Sequence, residues 1–406
     1  RYRTELVSFR QDPDGVRAEL RDLASGEIRT VAADYLVGCD GAGSTVRRTS
    51  GFELQGDPAL SYSVGIYLRS PGLVRRHDMG PAERYMLVGE DGVWGHLTVV
   101  DTDGYWRLTV IGSQEKVEGA DFDAGWWVRR CLGSDEIPFE IDDVLPWRRS
   151  RMVADRYGAG RVFIAGDAAH VMAPNGGFGM NTGLGDAVDL AWKLQARLQG
   201  WGGGALLDSY EAERRPIGWR NVNAAATNFS TLTPKLDFTS IADQTPAGAA
   251  ARLRMGEDLA AGTRPEWEVL GVILGYRYEG SPIVVPDGSP APPDDPSVYS
   301  PSARPGHRAP HAWLPDGRSI IDLFGKEHVL LRLGDHAPQP DALVAAARRR
   351  GMPLRVFDVP DPDVARLYER RLVLVRPDGH TAWRGDVLPD DPLVLVDRIR
   401  GAGALP

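Results

Sequence analysis

The stretch Arg161–Leu198, RVFIAGDAAHVMAPNGGFGMNTGLGDAVDLAWKLQARL, constrains the fold more than any other part of the chain. It opens on an apolar run, Arg161–Ala165, that predicts a buried strand. Gly166-Asp167 comes next, then a glycine-rich loop, then a helix with an apolar stripe. Strand, loop and helix start in that order put backbone N–H groups and the positive end of a helix dipole at the carboxyl edge of a sheet, where α/β sheets bind ligands. Asp167, at the strand's end, can accept hydrogen bonds from ligand hydroxyls. Pro174–Gly185 holds five glycines, so its backbone can approach a flat ligand without Cβ clashes. The pattern places the helix N-terminus near Asn181–Leu184.

A second segment, Tyr35–Arg48 (YLVGCDGAGSTVRR), is an apolar run ending in Asp40-Gly41, with Ser44, Val46 and Arg47 at fixed offsets behind it. Gly41-Ala42-Gly43 after a strand is a truncated dinucleotide fingerprint, weak because Val46 stands where the third glycine belongs. Arg47 suits a phosphate, since a guanidinium pairs two oxygens at once. A solvated surface charge is its plainer reading. Asp40 suits a helix N-cap as well as a ligand contact.

GDAAH, P-x-G-G-x-G-M-N-T-G and D-A-x-x-L-A-W-K-L, together with D-G-x-x-S-x-V-R, resemble the flavin-binding elements of the single-component FAD-dependent aromatic hydroxylases. That family includes phenol, hydroxyphenylpropionate and polyketide hydroxylases. The resemblance implies FAD as cofactor, NADPH or NADH as co-substrate, and O₂ activated as a flavin C4a-hydroperoxide that hydroxylates a phenolic or polycyclic aromatic ring. It assigns Asp40, Gly41, Arg47, Gly166, Asp167, Pro174, Gly176, Gly177, Gly179, Met180 and Asn181 to the cofactor, with the backbone of Pro174 near flavin C4a. Phe178 and Met180 serve equally as flavin contacts or core, whereas His170 reads as a helix-start or packing residue, with an acid–base role as the alternative. The phenol-activating base is not assigned. Other flavin chemistry on the same fold (epoxidation, Baeyer–Villiger oxidation, antibiotic inactivation) stays open, as does a chain that no longer holds FAD. The family's N-terminal G-x-G-x-x-G does not occur here, so an N-terminal segment the size of a small domain is expected to be missing from the sequence.

The resemblance also implies the organisation. The fold class is mixed α/β: a Rossmann-like FAD-binding domain with an inserted β-sheet substrate domain and a C-terminal thioredoxin-like domain. Residues 1–51 and 146–220 fall to the FAD-binding domain, 52–145 to the substrate sheet, 221–306 to a helical segment and linker, and 307–406 to the C-terminal domain. The residues agree in pattern. Period-2 runs at Ser61–Leu68, Trp94–Val100 and Tyr105–Ile111 read as strands, the last two a hairpin around Asp103-Gly104. Tyr85, Trp94 and His96 are candidate substrate contacts on these strands, with Tyr105 and Trp106 beside them. No Arg or Lys cluster stands out there, which favours a weakly charged aromatic substrate. Asp208–Arg220 reads as a helix, and helical patterning continues to Tyr278. Past the Pro- and Asp-rich Gly280–Gly306, strands are predicted at Ile320–Leu323, Val329–Leu333, Arg355–Val359, Leu372–Arg376 and Thr381–Arg384. Helices are predicted at Asp341–Arg350 and Pro392–Ile399. The signature V-R-P-D-G-x-x-A-W-R spans Val375–Arg384, and no cysteine follows Cys131, so this unit does no thiol chemistry. In the family it often contributes to dimer contacts, which implies a homodimer.

Composition narrows the partners. A net charge of −9 argues against nucleic acid or an anionic membrane. No run of eighteen apolar residues occurs. Cys39 and Cys131 are the only cysteines and have no metal-ligand spacing, which favours reduced thiols, a cytoplasmic setting and no metal.

Overall fold

The computed structural model describes residues 1–76, 79–113, 115–116, 122–231 and 238–402. The helical patterning read over 221–278 and the C-terminal unit read over 307–406 therefore include residues, 232–237 and 403–406, that lie outside the described ones.

An antiparallel meander opens the chain: β1 (Thr4–Asp12), β2 (Gly15–Asp22) and β3 (Ile28–Ala33). The short β4 (Leu36–Gly38) leads into helix α1 (Thr45–Thr49). Next come β5 (Leu54–Arg69), β6 (Arg84–Gly89), β7 (Gly92–Val99), β8 (Tyr105–Ser113), helix α2 (Ala124–Leu132) and β9 (Glu140–Ala154). Then follow β10 (Gly158–Ala159), β11 (Val162–Ile164), β12 (His170–Val171) and helices α3 (Phe178–Leu198), α4 (Asp208–Thr231), α5 (Pro246–Trp267) and α6 (Leu270–Leu274).

The decisive pairing is β4 beside β11, parallel, with Leu36 opposite Val162 and Gly38 opposite Ile164. Parallel strands end at the same edge, so the loops carrying Asp40 and Asp167 emerge side by side although the chain between them is long. Gly38 is needed there, since a Cβ would lie 2.6 Å from the Val46 Cβ of α1. Val46, Val162, Ile164 and Leu190 of α3 share one buried core.

The six-stranded sheet runs β12-β9-β5-β8-β7-β6. Alternation gives it two chemically different faces. Val64, Ile66, Leu68, Trp106, Leu108 and Val110 form a core with Val128 of α2. The residues between them face the other way.

The C-terminal unit is built from β13 (His328–Leu333), α7 (Asp341–Arg349), β14 (Leu354–Val359), α8 (Pro362–Tyr368), β15 (Leu372–Val375), β16 (Thr381–Gly385) and α9 (Pro392–Ile399). Its sheet is ordered β14-β13-β15-β16, with β13 parallel to β14 and antiparallel to β15. Helix α7 buries Leu343, Ala346 and Ala347 and α9 buries Leu395, Val396 and Ile399, the spacing of one helix face.

Several expectations are corrected. Ile320–Leu323 is a 3₁₀ turn, because Ser319 and Asp322 close a capping box on each other's backbone. Helices α2 and α8 have no counterpart in the sequence reading. The long helix after the glycine loop starts at Phe178, not at Asn181–Leu184, since Gly177 in the left-handed region (φ 68°) already turns the chain into it. Among the described residues, no helix is long and apolar enough to cross a membrane.

Candidate active site

Helix α3 presents an open N-terminus. Gly177 is its N-cap and supplies no side-chain bond, and the first turn holds no acidic residue. The orphan N–H groups of a 21-residue helix and about half a positive charge therefore face outward. The tight turn before it needs its glycines. Gly176 lies at φ 91°, and a Cβ would sit 2.6 Å from the Phe178 ring. Gly177 N–H donates to Pro174 O at 3.1 Å, and Asn181 Nδ2 donates to Gly177 O at 2.9 Å. Pro174, Met180 and Asn181 are exposed, while Phe178 is buried in a small core with Val272. Gly179 faces Met172, a Cβ there lying 3.9 Å from its Cγ.

Asp167 is exposed at the end of β11, on the same edge. Gly166 beside it has φ 61°, and its N–H donates to Asp186 Oδ2 of α3 at 3.0 Å. Gly183 meets Gly166 so closely that a Cβ on Gly183 would lie 3.1 Å from the Gly166 Cα. Gly166 thus brings α3 against the strand end, and its own N–H is already used.

Asp40 accepts from Ser44 Oγ, from Thr45 N at 2.7 Å and from Val46 N at 3.0 Å. Burial raises its carboxyl, but these bonds outweigh it and hold the group below the usual carboxylate range. Gly41 turns the loop at φ 78°. Arg47 lies on α1. Only 6% exposed, it donates to Ala168 O at 3.0 Å and to Ala42 O at 2.9 Å. Its Nη1 and Nη2 tie the two loops together, using two of the five N–H donors of the guanidinium.

His170 is fully buried, and its Nε2–H donates to Asp186 Oδ2 at 2.8 Å. Asp186 also takes Arg214 Nε of α4 at 2.9 Å, and Arg214 reaches Thr182 O at 3.1 Å. Burial lifts the Asp186 carboxyl, but Arg214 and His170 hold it below the usual range. His170 is therefore part of the frame behind the loop and not a group facing a ligand.

Across from Pro174, Met172 and Asn175, the polar face of the six-stranded sheet closes a cavity of about 510 Å³, the size of a small-molecule site. The register lines up its wall. Met86 stands opposite His96, His96 opposite Thr109, Thr109 opposite Gly65 and Gly65 opposite Leu145. Arg84, Arg107 and Arg149 join this wall with Tyr67, Trp147 and Glu266 of α5. Arg149 donates to Ser61 and Ser63, and its guanidinium lies 4.4 Å from the Trp147 ring centre. Burial pushes its pKa down to about 10. The Nε atoms of Arg107 and Arg149 have no hydrogen-bond partner. Glu266 is paired with Arg84 at 3.3 Å. Burial, and then Arg84, Arg107 and Arg149, push the His96 pKa down to about 3, so its imidazole is neutral at ordinary pH.

Of the sheet residues expected at the substrate, His96 lines the cavity and Tyr85 and Trp94 do not. Tyr85 is 9% exposed in the core behind the sheet, its hydroxyl donating to Gly80 O at 2.8 Å. Trp94 occupies a β-bulge, where Val88 faces Val93 and Leu87 faces Gly95. The bulge turns its ring onto Trp127 at 5.5 Å and under Arg130. Trp106 is core, and Tyr105 packs on Tyr67 and Arg69 at the sheet's end. The expected lack of cationic residues is also corrected. The direction of Arg107 follows from Tyr105–Ile111, where Trp106, Leu108 and Val110 alternate with Arg107, Thr109 and Ile111, whereas Arg84 and Arg149 come from other strands. In a one-sided sheet the apolar and aromatic set goes to the core, which leaves the polar set for the cavity.

Comparison with known proteins shows the family. Residues 1–225 match the family described as FAD binding domain, and residues 302–400 match the family described as aromatic-ring hydroxylase, C-terminal. A putative polyketide hydroxylase of Streptomyces halstedii is 36% identical, the alignment covering 95% of this chain and 70% of that protein. A 4-methyl-5-nitrocatechol 5-monooxygenase of a Burkholderia species is also 36% identical, over 98% of this chain and 74% of that one. Among solved structures, RebC-10x, native and with K252c bound, superposes with a TM-score of 0.90 at 39% identity, over 99% of this chain and 75% of the other. Aklavinone-11 hydroxylase, solved with FAD and aklavinone, gives 0.80 at 30% identity, over 98% and 74%. With both family regions matched and relatives at this identity, the chain belongs to the FAD-dependent aromatic-ring hydroxylases, a family of flavoprotein monooxygenases.

Proposed function

We propose that this chain uses NADPH or NADH as reductant and O₂ as oxidant to hydroxylate a flat aromatic substrate that carries an acidic substituent. The observation behind the substituent is the wall of Arg84, Arg107 and Arg149, answered by one carboxylate, Glu266, in a cavity of about 510 Å³. A guanidinium in that wall favours a ligand carboxylate, which a planar fork binds through two bonds.

FAD fits the neighbouring edge. The first turn of α3 offers uncapped N–H groups to an electron-rich ring edge, and exposed Asp167 offers a carboxylate to ligand hydroxyls. Pro174, its φ fixed by the ring, lines the cavity beside that edge together with Asn175. Asp40 and Gly41 shape the adjacent loop, and Arg47 holds it to Ala168. When bound, FAD supplies the reduction of O₂ and the transfer of one oxygen atom. The protein's part is to seat the ring, keep water out and orient the phenol. Neutral His96 can take a hydrogen bond from the substrate hydroxyl.

NADPH oxidation by the holoenzyme tests this directly, using phenols paired with the same ring bearing a carboxyl group. Faster consumption with the carboxylated member, and one ¹⁸O from labelled O₂ in its product, are expected. Equal rates for both members would overturn the acidic substituent, and a product without label would overturn hydroxylation.

A further inference from the structure

The V-R-P-D-G signature of the C-terminal unit takes no part in the chemistry above, yet its arginine is seated against the flavin-side helices. Arg376 leaves β15 fully buried. It reaches Asp189 Oδ1 of α3 at 3.0 Å and Glu213 Oε2 of α4 at 2.8 Å, with further bonds to Glu213 Oε1 and Asp378. Lys193 closes the group from the α3 side, at 2.7 Å from Asp189 and 2.6 Å from Glu213. Trp192 and Tyr278 cover the guanidinium, with ring centres at 5.2 and 5.1 Å. Asp189, Glu213 and Asp378 bring an oxygen each within 4.8 Å of one another, and Arg376 and Lys193 are the cations that join them. Among the described residues, Arg376 makes every salt bridge between the C-terminal unit and α3 or α4.

We propose that Arg376 is a positioning residue for the cofactor seat, holding α3 and α4 in the one arrangement that sets Gly166-Asp167 and the open end of α3 in place. The path is short. Asp189 lies one helical turn beyond Asp186, which takes the Gly166 N–H. Glu213 is followed directly by Arg214, which takes Asp186 and Thr182 O. Arg376 therefore pulls on both helices at the residues next to those that hold the strand end. An isolated Arg–carboxylate pair would only dock one unit on another. Here one guanidinium ties two helices of the opposite unit to each other.

Docking itself has a separate basis. Trp192, Ala196, Trp201 and Leu206 share one apolar core with Leu330, Leu343, Leu374 and Val396 of the C-terminal unit. That seam remains when Arg376 is replaced, so the two contributions separate experimentally.

The inference rests on the seat proposed above, and the experiment keeps the two apart. FAD dissociation constants and visible flavin absorption are measured for wild type, Arg376→Gln, Arg376→Lys, Asp189→Asn, Leu343→Ala and Asp167→Ala. Arg376→Gln should raise the FAD constant at least about tenfold and shift the flavin band, and Arg376→Lys should restore part of both. Leu343→Ala, which loosens the seam, should lower the melting temperature and leave FAD affinity and spectrum unchanged. Asp189→Asn keeps the side chain's shape and should move FAD affinity in the same direction as Arg376→Gln, so it carries the test if Arg376→Gln does not fold. Affinity within twofold of wild type and a superimposable spectrum in the folded variants overturn the proposal, as does equal weakening by Leu343→Ala. If Asp167→Ala weakens FAD while the Arg376 and Asp189 variants do not, the seat stands and the positioning role falls. If Asp167→Ala binds FAD like wild type, the seat itself is wrong.

Discussion

Asp186→Asn removes one negative charge from the frame behind the flavin loop and should be costly. The wild-type carboxylate accepts three bonds, from Gly166 N at 3.0 Å, His170 Nε2 at 2.8 Å and Arg214 Nε at 2.9 Å. Asparagine keeps the volume but offers one acceptor oxygen and turns an NH₂ group toward the remaining donors. Arg214, 1% exposed, loses its carboxylate partner. Removing one partner of a buried ion pair costs about 3–5 kcal/mol, and the low end applies because Arg214 keeps the Thr182 carbonyl at 3.1 Å. The acid side gives a second reading. Asp186 has a folded pKa below its unfolded value of about 3.9. Its stabilisation is therefore complete above that value and is lost as pH falls through the folded pKa. Urea unfolding followed by tryptophan fluorescence should show a gap of about 3 kcal/mol between wild type and variant near pH 7, narrowing below about pH 4. A gap under about 1 kcal/mol, the worth of one ordinary hydrogen bond, would refute the reasoning. So would a gap that stays constant into acid.

Asp167→Ala should weaken FAD binding by about tenfold or more, the loss of one charge-assisted hydrogen bond, read by fluorescence titration of the apoprotein. Gly176→Ala forces a Cβ to 2.6 Å from the Phe178 ring at φ 91° and should cost at least about 1 kcal/mol along with flavin retention; a variant as stable as wild type would contradict the turn geometry. Tyr85→Phe should lower stability by about 1 kcal/mol, from the lost bond to Gly80, and leave the KM for substrate unchanged, since the ring lies behind the sheet. His96 charges only below about pH 3, so kcat/KM should show no inflection from it between about pH 5 and 8, and the same inflections in His96→Gln would agree.

The strand–loop–helix of Arg161–Leu198 and the C-terminal strands were legible because their apolar periods are long and local. Asp167, Pro174 and the glycine turn fall where that pattern put them, at the end of β11 and the mouth of α3. What escaped the sequence depended on distant partners. Arg47 reads as a phosphate ligand, and nothing in its segment shows that it also bonds to the distant Ala168. Trp94 reads as inward by parity with His96, and one bulge reverses it. Arg84, Arg107 and Arg149 come from three strands, and only the register of the sheet gathers them with Glu266 of α5. Asp186 and Arg214 look like surface charges on amphipathic helices, and their burial follows from how α3 and α4 pack.

The bond from Arg47 to Ala168 also orders events in time. Its ends are 121 residues apart, and almost the whole six-stranded sheet is spelled out between them. Closing so long a loop loses chain entropy before any contact at the junction can compensate. The loss shrinks once the intervening chain has collapsed into its own hairpins, β6 with β7 and β7 with β8, which are short-range and form early. Chain entropy thus favours the β6–β7–β8 hairpins before the closure of β4 on β11 and of β5 on β9, where Leu54 meets the distant Ala154.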